Sequence, residues 1–401
     1  MGQLIEVQYR EIGDVALFDT DRSITGQDSR VYRGPSPNDD PPSTLATRLF
    51  RTDGSIDHVH VLSNTVSIRR RGGWDDASLK GARDVIASLF VVYDEDADPY
   101  EPLREANYNA TIASIRAHNE DLWVMKVMPD EPIEPFDAGQ YTTLGLGYWE
   151  PRADDAVEDF DDEQRRKMAR RSYSVSSSIV DRETGELEPE HPESVEFYIV
   201  KVRPDQEEIP ALTPRIFTKG EGDRLFMSHK FTGRYTLRGV EPGDKVVFLS
   251  TGTGEAPQNA MTAELLRRGH AAPILNLVCV RYNDDLAYIP EQKIVQEKWP
   301  NYRYEAITTR EPENEGNKVY IQDLVRGGGV EEMLGGRLDP EDTHVFLCGN
   351  PAMIGLPKWE EDSPVFPEPV GVCELLHERG FTIDHLKTRG NVHYEEYWKD
   401  R

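Results

Sequence analysis

The chain has 401 residues, enough for two or three domains at about 100 to 200 residues each. Its 46 Lys and Arg stand against 73 Asp and Glu, a formal charge of -27 that opposes adsorption to nucleic acid or an anionic membrane. Only Cys279, Cys348 and Cys373 occur, far apart and without a CxxC pair, so they build neither a disulfide framework nor an iron-sulfur cluster, and any metal centre must sit on a partner.

The opening MGQLIEVQYREIG has no basic segment followed by an apolar run, and no stretch approaches about 18 uninterrupted apolar residues, so a cytoplasmic location is expected. Two strand-like runs, VALFDTDRSIT and HVHVLSNTVSIRR, flank an amphipathic stretch, STLATRLFRTDG, and a helix candidate, ASLKGARDVIASLF, closes the unit. This predicts a small α+β domain over residues 1–95. DEDADPYEP is charged, proline-punctuated and poor in bulky apolar residues, which predicts a linker over 96–106.

Residues 107–238 then alternate short strands with turns, among them TIASIRAHN, LWVMKVM, AGQYTTLGL, RSYSVSSS and VEFYIVKV, which predicts an antiparallel β-barrel. The acidic run ADDAVEDFDDEQ inside it reads as a solvated loop. From 239 to 401 the texture changes: KVVFLSTGTG, ILNLVCVR, YRYEAITTR and HVFLCGN alternate with helical stretches. Apolar strands separated by helices predict an α/β domain with a parallel sheet covered on both faces and a dinucleotide at its edge.

Within that region FLSTGTGEAP ends a buried strand in Gly252, Thr253 and Gly254 before a helix starting near Pro257. Glycines let backbone amides approach a pyrophosphate, and a helix N-terminus offers unpaired N–H groups, although the same pattern also makes an ordinary tight turn. Earlier, RRSYSVSSS sets Arg171 and Tyr173 two apart on a strand and so on one face, a cation for phosphate beside a ring for stacking, or else a plain surface strand. HVFLCGNPAMIG puts Cys348 at a strand's carboxyl end, where such sheets bind ligands and where a small core residue also fits. The ending HYEEYWKDR sets Tyr397 and Trp398 beside Glu395 and Glu396, adjacent aromatics that need something flat or apolar to cover.

In order, these stretches resemble the ferredoxin or flavodoxin–NADP reductase family, bacterial type and in one part plant type, over about residues 107 to 398. RxYS (Arg171, Ser172, Tyr173, Ser174) resembles its FAD motif, GTGEAP its NADP pyrophosphate loop, CGNPAMI its nicotinamide-side loop and EEYW its aromatic lid. The resemblance implies that Arg171 holds the FAD pyrophosphate and Tyr173 stacks on one isoalloxazine face, with Ser174 near flavin N5. It further implies backbone contacts to FAD from Tyr198, Ile199, Val200, Leu212 and Thr213, Thr253 near the flavin and pyrophosphate, Tyr397 over the other isoalloxazine face and Trp398 on the adenine. Ser174, Cys348, Glu395 and Tyr397 are the catalytic candidates so implied. On the NADP(H) side the implied residues are Gly252, Gly254, Arg281, Gly349, Asn350 and Met353. Two departures stand out: Glu255 replaces the commoner apolar residue of the loop, and Lys399 to Arg401 follow Trp398.

TREPENEGNKVYIQDL resembles the plant-type 2'-phosphate pocket, with Thr309, Arg310, Lys318 and Tyr320. Cations and a stacking ring favour NADP over NAD, whose ribose hydroxyls favour a carboxylate. The implied activity is hydride exchange between NADP(H) and FAD, coupled to a one-electron carrier, ferredoxin or flavodoxin. Such carriers are acidic, so a local basic patch must override the net charge; Arg165, Arg166, Lys167, Arg170 and Arg171 form one, and Arg69 to Arg71 another. Residues 3–93 resemble the N-terminal domain of NifU-like iron-sulfur scaffolds, without the CxxC of their cluster domain, which implies a partner-docking domain and an iron-sulfur assembly partner. A stabilising appendage, a reductase for another acceptor and a redox accessory of cluster assembly remain open readings.

Overall fold

The computed structural model describes residues 5–90, 98–190, 192–204, 209–360, 363–385 and 388–397. Contacts divide the chain into two compact units, Met1–Pro99 and Tyr100–Arg401.

The first unit runs β1 (Val7–Ile12), β2 (Val15–Thr20), β3 (Ser29–Tyr32), α1 (Pro41–Thr52), β4 (Ile56–Leu62), β5 (Thr65–Arg70) and α2 (Asp76–Ala87). Its strands form one antiparallel sheet in the order β1-β2-β5-β4-β3. Both helices start at aspartate caps, Asp40 accepting from Ser43 N at 2.9 Å and Asp75 from Ser78 N at 2.7 Å. Leu45 and Leu49, and Leu79, Ala82 and Ile86, recur at helical spacing and bury against Phe18, Val61, Val66 and Ile68. HVHVLSNTVSIRR is not one strand but the β4–β5 hairpin, its turn carrying Ser63 at φ 56. The alternation continues through both strands, so periodicity alone did not mark the turn. The basic run Arg69 to Arg71 is largely neutralised: Arg69 pairs with Asp57 at 2.8 Å and Arg70 with Asp53 at 2.7 Å.

The second unit opens with α3 (Glu101–Asn107), inside the stretch expected to be linker. Tyr100 stacks on Trp149, and Arg104 reaches Glu150 Oε1 at 2.7 Å, which draws this segment onto the barrel despite its charge. The barrel comprises β6 (Ala110–Asn119), β7 (Leu122–Pro129), β8 (Tyr141–Gly147), α4 (Asp162–Arg165), β9 (Met168–Ser174), β10 (Val195–Val200), α5 (Thr213–Ile216) and β11 (Arg224–Met227). Its strands order β10-β7-β6-β11-β8-β9, all antiparallel, and a bridge from Ser176 to Glu196 brings the end of β9 back to β10. The acidic run is not purely solvated. Glu158 pairs with Arg152 at 2.6 Å and with the fully buried Arg215, because that guanidinium needs a counter-charge once it leaves water.

The parallel part runs β12 (Lys245–Thr251), α6 (Glu255–Arg267), β13 (Ile274–Val280), α7 (Ile289–Lys298), β14 (Tyr302–Thr308), α8 (Ile321–Gly327), α9 (Gly329–Leu334), β15 (Thr343–Gly349), α10 (Pro351–Ile354), a hairpin of β16 (Lys358–Glu360) and β17 (Ser363–Val365), α11 (Val372–His377) and β18 (Val392–Glu396). Its sheet is wholly parallel in the order β14-β13-β12-β15-β18. Val246 and Phe248 face one apolar layer, Val247 and Leu249 the other, which explains the unbroken apolar run. Chain order reverses between β12 and β15, the place where sheets of this class open a crevice at their carboxyl ends. Among the described residues no helix is long and apolar enough to cross a membrane.

Candidate functional site

Two strand ends meet at that crevice. A Cβ on Gly254 would lie 2.5 Å from Cys348 O, and one on Gly349, at φ 118, would lie 2.3 Å from Thr251 Oγ1. Only glycine permits this approach, which also lets Asn350 N donate to Thr251 Oγ1 at 2.8 Å. Gly252, at φ 55, faces open space instead. The first turn of α6 has no side-chain cap; the Glu255 N–H donates back to Gly252 O, and Pro257 has no N–H, so the cleft meets the Gly252–Thr253 turn rather than the helix itself.

The cleft beside it measures about 1080 Å³. Gly252, Thr253, Arg281, Thr309, Arg310, Lys318, Tyr320, Asn350 and Met353 line it, as do Tyr198 and Val200 of the barrel. Gly254 and Gly349 do not; they hold the strand ends together behind it. Among the described residues neither Arg310 nor Lys318 has a carboxylate within salt-bridge distance, and the half-exposed Tyr320 stands between them and α8. Two unpaired cations beside a ring, in a chain of charge -27, fit a phosphorylated adenosine. Gln322 and Arg326 of α8 add to this wall and were not anticipated; their spacing of one helical turn, just after Tyr320, is the signal that could have found them.

The four catalytic candidates come together across the barrel and the sheet. Ser174 Oγ donates to Glu395 Oε2 at 2.7 Å, Glu395 lies opposite Cys348 in the β15–β18 register, and Tyr397 donates from Oη to Thr253 O at 3.3 Å and from N to Gly349 O at 3.2 Å. Burial pushes the Glu395 carboxyl up to about 7, although the Ser174 hydrogen bond works against it. Cys348 is fully buried, and burial first, then the Glu395 charge, pushes its thiol well up, which favours the protonated thiol. Trp398 lies outside the described residues.

The flavin candidates divide. Arg171 and Ser172 are exposed on β9, and Arg171 makes no ion pair among the described residues. The Tyr173 ring meets Phe197 edge-on, and its Oη is buried without a protein partner, the sort of orphaned group that a polar ligand satisfies. Such a pairing fits a flavin nucleotide. Ile199 and Leu212 point into the barrel core, and Thr213 Oγ1 accepts from Val202 N at 3.2 Å, so side chains at these three positions are structural.

Glu255 is the unexpected member. It starts α6 yet is 1% exposed, with Gln292 Nε2 donating to its Oε1 at 3.1 Å and no partner on Oε2. Burial raises its carboxyl to about 7. The apolar residue expected at this position is thus replaced by a carboxyl that can be accommodated in neutral form.

Comparison with known proteins agrees with this geometry. Residues 248–357 match the oxidoreductase NAD-binding domain. The chain is 24% identical over 291 residues to the flavodoxin/ferredoxin–NADP reductase of Buchnera aphidicola, covering 72% of this chain and 98% of that one. It is 28% identical over 260 residues to the ferredoxin–NADP reductase of Pseudomonas aeruginosa, covering 62% and 86%. A ferredoxin NADP+ reductase from Neisseria gonorrhoeae, solved with FAD and NADP, shares the fold at TM-score 0.53 and 19% identity over 73% of this chain and 99% of that one. With the matched domain at the glycine turn and relatives matched along most of their length, the second unit is an oxidoreductase similar in sequence to the ferredoxin/flavodoxin–NADP reductases, whose fold it shares.

Proposed function

We propose that the second unit holds FAD and NADP(H) and passes electrons between NADP(H) and a one-electron carrier protein, a ferredoxin or a flavodoxin. The observation that carries this reading is the junction around Thr253, where the glycine turn opening on Arg310 and Lys318 is tied through Tyr397 to the strand holding the Ser174–Glu395 pair. FAD supplies what side chains cannot, accepting two electrons together and releasing them singly. Arg171 and Tyr173 would hold the flavin nucleotide, and Arg310, Lys318 and Tyr320 the 2'-phosphate and adenine of NADP(H). Gly252 and Thr253 of the turn would approach the pyrophosphate, Glu395 would hold a proton beside Ser174, and Tyr397 would keep water out until the nicotinamide arrives.

Arg165, Arg166, Arg170 and Arg171 are exposed beside β9 and offer an acidic carrier its docking charge, whereas Lys167 is engaged by Glu163 at 2.9 Å. For the first unit the reading is docking of an iron-sulfur assembly partner. The sheet face away from its helices supports it, with Arg10, Ile12, Val31 and Leu62 exposed, and titration calorimetry against a purified NifU-type cluster domain tests it.

Stopped-flow mixing of the yellow holoprotein with NADPH and with NADH tests the main reading. Flavin bleaching should be faster with NADPH and be followed by reduction of ferredoxin or flavodoxin. Absence of bleaching by either nucleotide overturns it.

A further inference from the structure

We infer that the first turn of α7 ties the barrel to the glycine turn, and that Glu291, Gln292 and Glu255 are positioning residues that set the sheet side of the cleft against its barrel side. Glu291 and Gln292 are adjacent, both 1% exposed, and bind different parts of the second unit. Glu291 holds the barrel: its Oε1 accepts from Arg116 Nη2 at 3.1 Å and Arg182 Nε at 2.7 Å, its Oε2 from Arg182 Nη2 at 2.9 Å. Gln292 holds the sheet layer. Its Nε2 donates to Glu255 Oε1 at 3.1 Å and Asn259 Oδ1 at 2.9 Å, and its Oε1 accepts from Tyr302 Oη at 2.6 Å.

The barrel grips the stretch before α7 as well. Arg116 Nη1 of β6 donates to Ala287 O at 2.8 Å, Asn119 Nδ2 to Asp284 O at 2.8 Å and Tyr198 Oη of β10 to Asp285 O at 2.9 Å. The fully buried Tyr288 donates from Oη to Glu196 Oε1 at 2.9 Å. A carboxylate taken out of water must keep its cations, so the two arginines confine α7 to one position on the barrel. On the other side, Gln292 has both amide donors and its carbonyl engaged, which fixes α7 to α6 and β14. An apolar residue at 255 would leave one of those buried donors without a partner, and this gives the carboxyl at that position its purpose.

Glu255 directly follows the turn whose Gly252 and Thr253 line the cleft from the sheet, while Tyr198 and Val200 line it from the barrel. The path Arg182–Glu291–Gln292–Glu255 therefore joins the two sides through the protein interior. That link stands apart from the proposed function; its effect on flavin reduction rests on that reading.

The test is amide hydrogen exchange of the full-length protein, read by mass spectrometry for the native chain and for Arg182→Gln, in which Arg116 still accompanies Glu291. Exchange should quicken about tenfold across 284–292 and also across 252–258, where Arg182 makes no hydrogen bond among the described residues, and stay unchanged in β8 and β11. Quickening confined to 284–292, or none in either stretch, overturns the link. If Arg182→Gln does not fold, the native chain decides: in subdenaturing urea the two stretches should open as one unit, and separate openings overturn the link. The positioning role is read from flavin reduction by NADPH. Arg182→Gln and Glu255→Leu should each slow it about tenfold, and the double variant should be no slower than the slower single, whereas losses at independent sites multiply. Multiplied losses, or single variants as fast as the native chain, overturn the positioning role. Absence of flavin reduction in the native chain would sink the electron-transfer reading and leave the exchange result to decide the link.

Discussion

Ser174 on β9 donates its hydroxyl hydrogen to Glu395 on β18 at 2.7 Å, so a barrel strand and the last strand of the parallel sheet share one hydrogen bond at the centre of the candidate site. That bond favours the ionised carboxyl, so Ser174→Ala should move Glu395 further up from about 7. Flavin reduction by NADPH should slow by about ten- to a hundredfold, the worth of a hydrogen bond to a charged group. Its pH profile should shift upward, with little change in nucleotide affinity. A stopped-flow pH series reads both; a fixed profile removes Glu395 as the titrating group.

Arg310→Glu with Lys318→Glu should weaken NADPH far more than NADH. Each lost charge-assisted contact costs about 1.5 to 3 kcal/mol, and the new carboxylates repel the 2'-phosphate. Equal losses for both nucleotides would move the phosphate to another part of the cleft, with Arg281 and Arg326 next in line.

Tyr397→Ser should raise flavin reduction by NADH more than by NADPH. Stacking of a buried ring contributes about 0.5 to 1.5 kcal/mol beyond area, a cost that NADPH offsets through its 2'-phosphate and NADH does not. The ratio of the two kcat/KM values should therefore shrink. An unchanged ratio rejects Tyr397 as the lid.

Glu255 makes stability fall as pH rises. Its carboxyl titrates near 7 in the folded chain and in the ordinary carboxylate range unfolded, so the folded form holds the extra proton between those values. The stabilisation is complete below the unfolded value and is lost as pH climbs through about 7. Glu255→Gln cannot ionise, so the unfolding free energy from urea titration should flatten across this window and rise by about 3 kcal/mol at alkaline pH relative to the native chain. A slope identical to the native one means the carboxyl is ionised throughout.

A chain that starts at Tyr100 should keep its flavin and its dye reduction, whereas one that starts at Tyr108 should lose about 3 kcal/mol. Glu150 is 4% exposed and held by Arg104 at 2.7 Å and Lys219 at 2.5 Å, so removing α3 strips a buried carboxylate of one cation. Equal urea midpoints for the two truncations would return α3 to the role of linker.

The amino-acid sequence determined the elements whose signal is local. Unbroken apolar runs such as VVFLS and ILNLVCV specify strands buried on both faces, and the glycines of GTGEAP specify a turn that no side chain can occupy, so the parallel sheet and its crevice were legible. So was much of the cleft wall, since Arg310, Lys318 and Tyr320 lie within one short loop. What only the tertiary structure decided depends on partners distant in the chain. Ser174 meets Glu395, Arg104 meets Glu150, and His344 meets His393 because strands remote in sequence become neighbours. The same holds for Glu158, a member of an acidic run that by composition belongs in water and that the buried guanidinium of Arg215 draws inward. β18 was missed for the same reason: VHYEE carries no local strand signal, its Val392 and His393 are buried on opposite faces only because the strand pairs with β15, and burial, not composition, sets the protonation of Glu255 and Glu395.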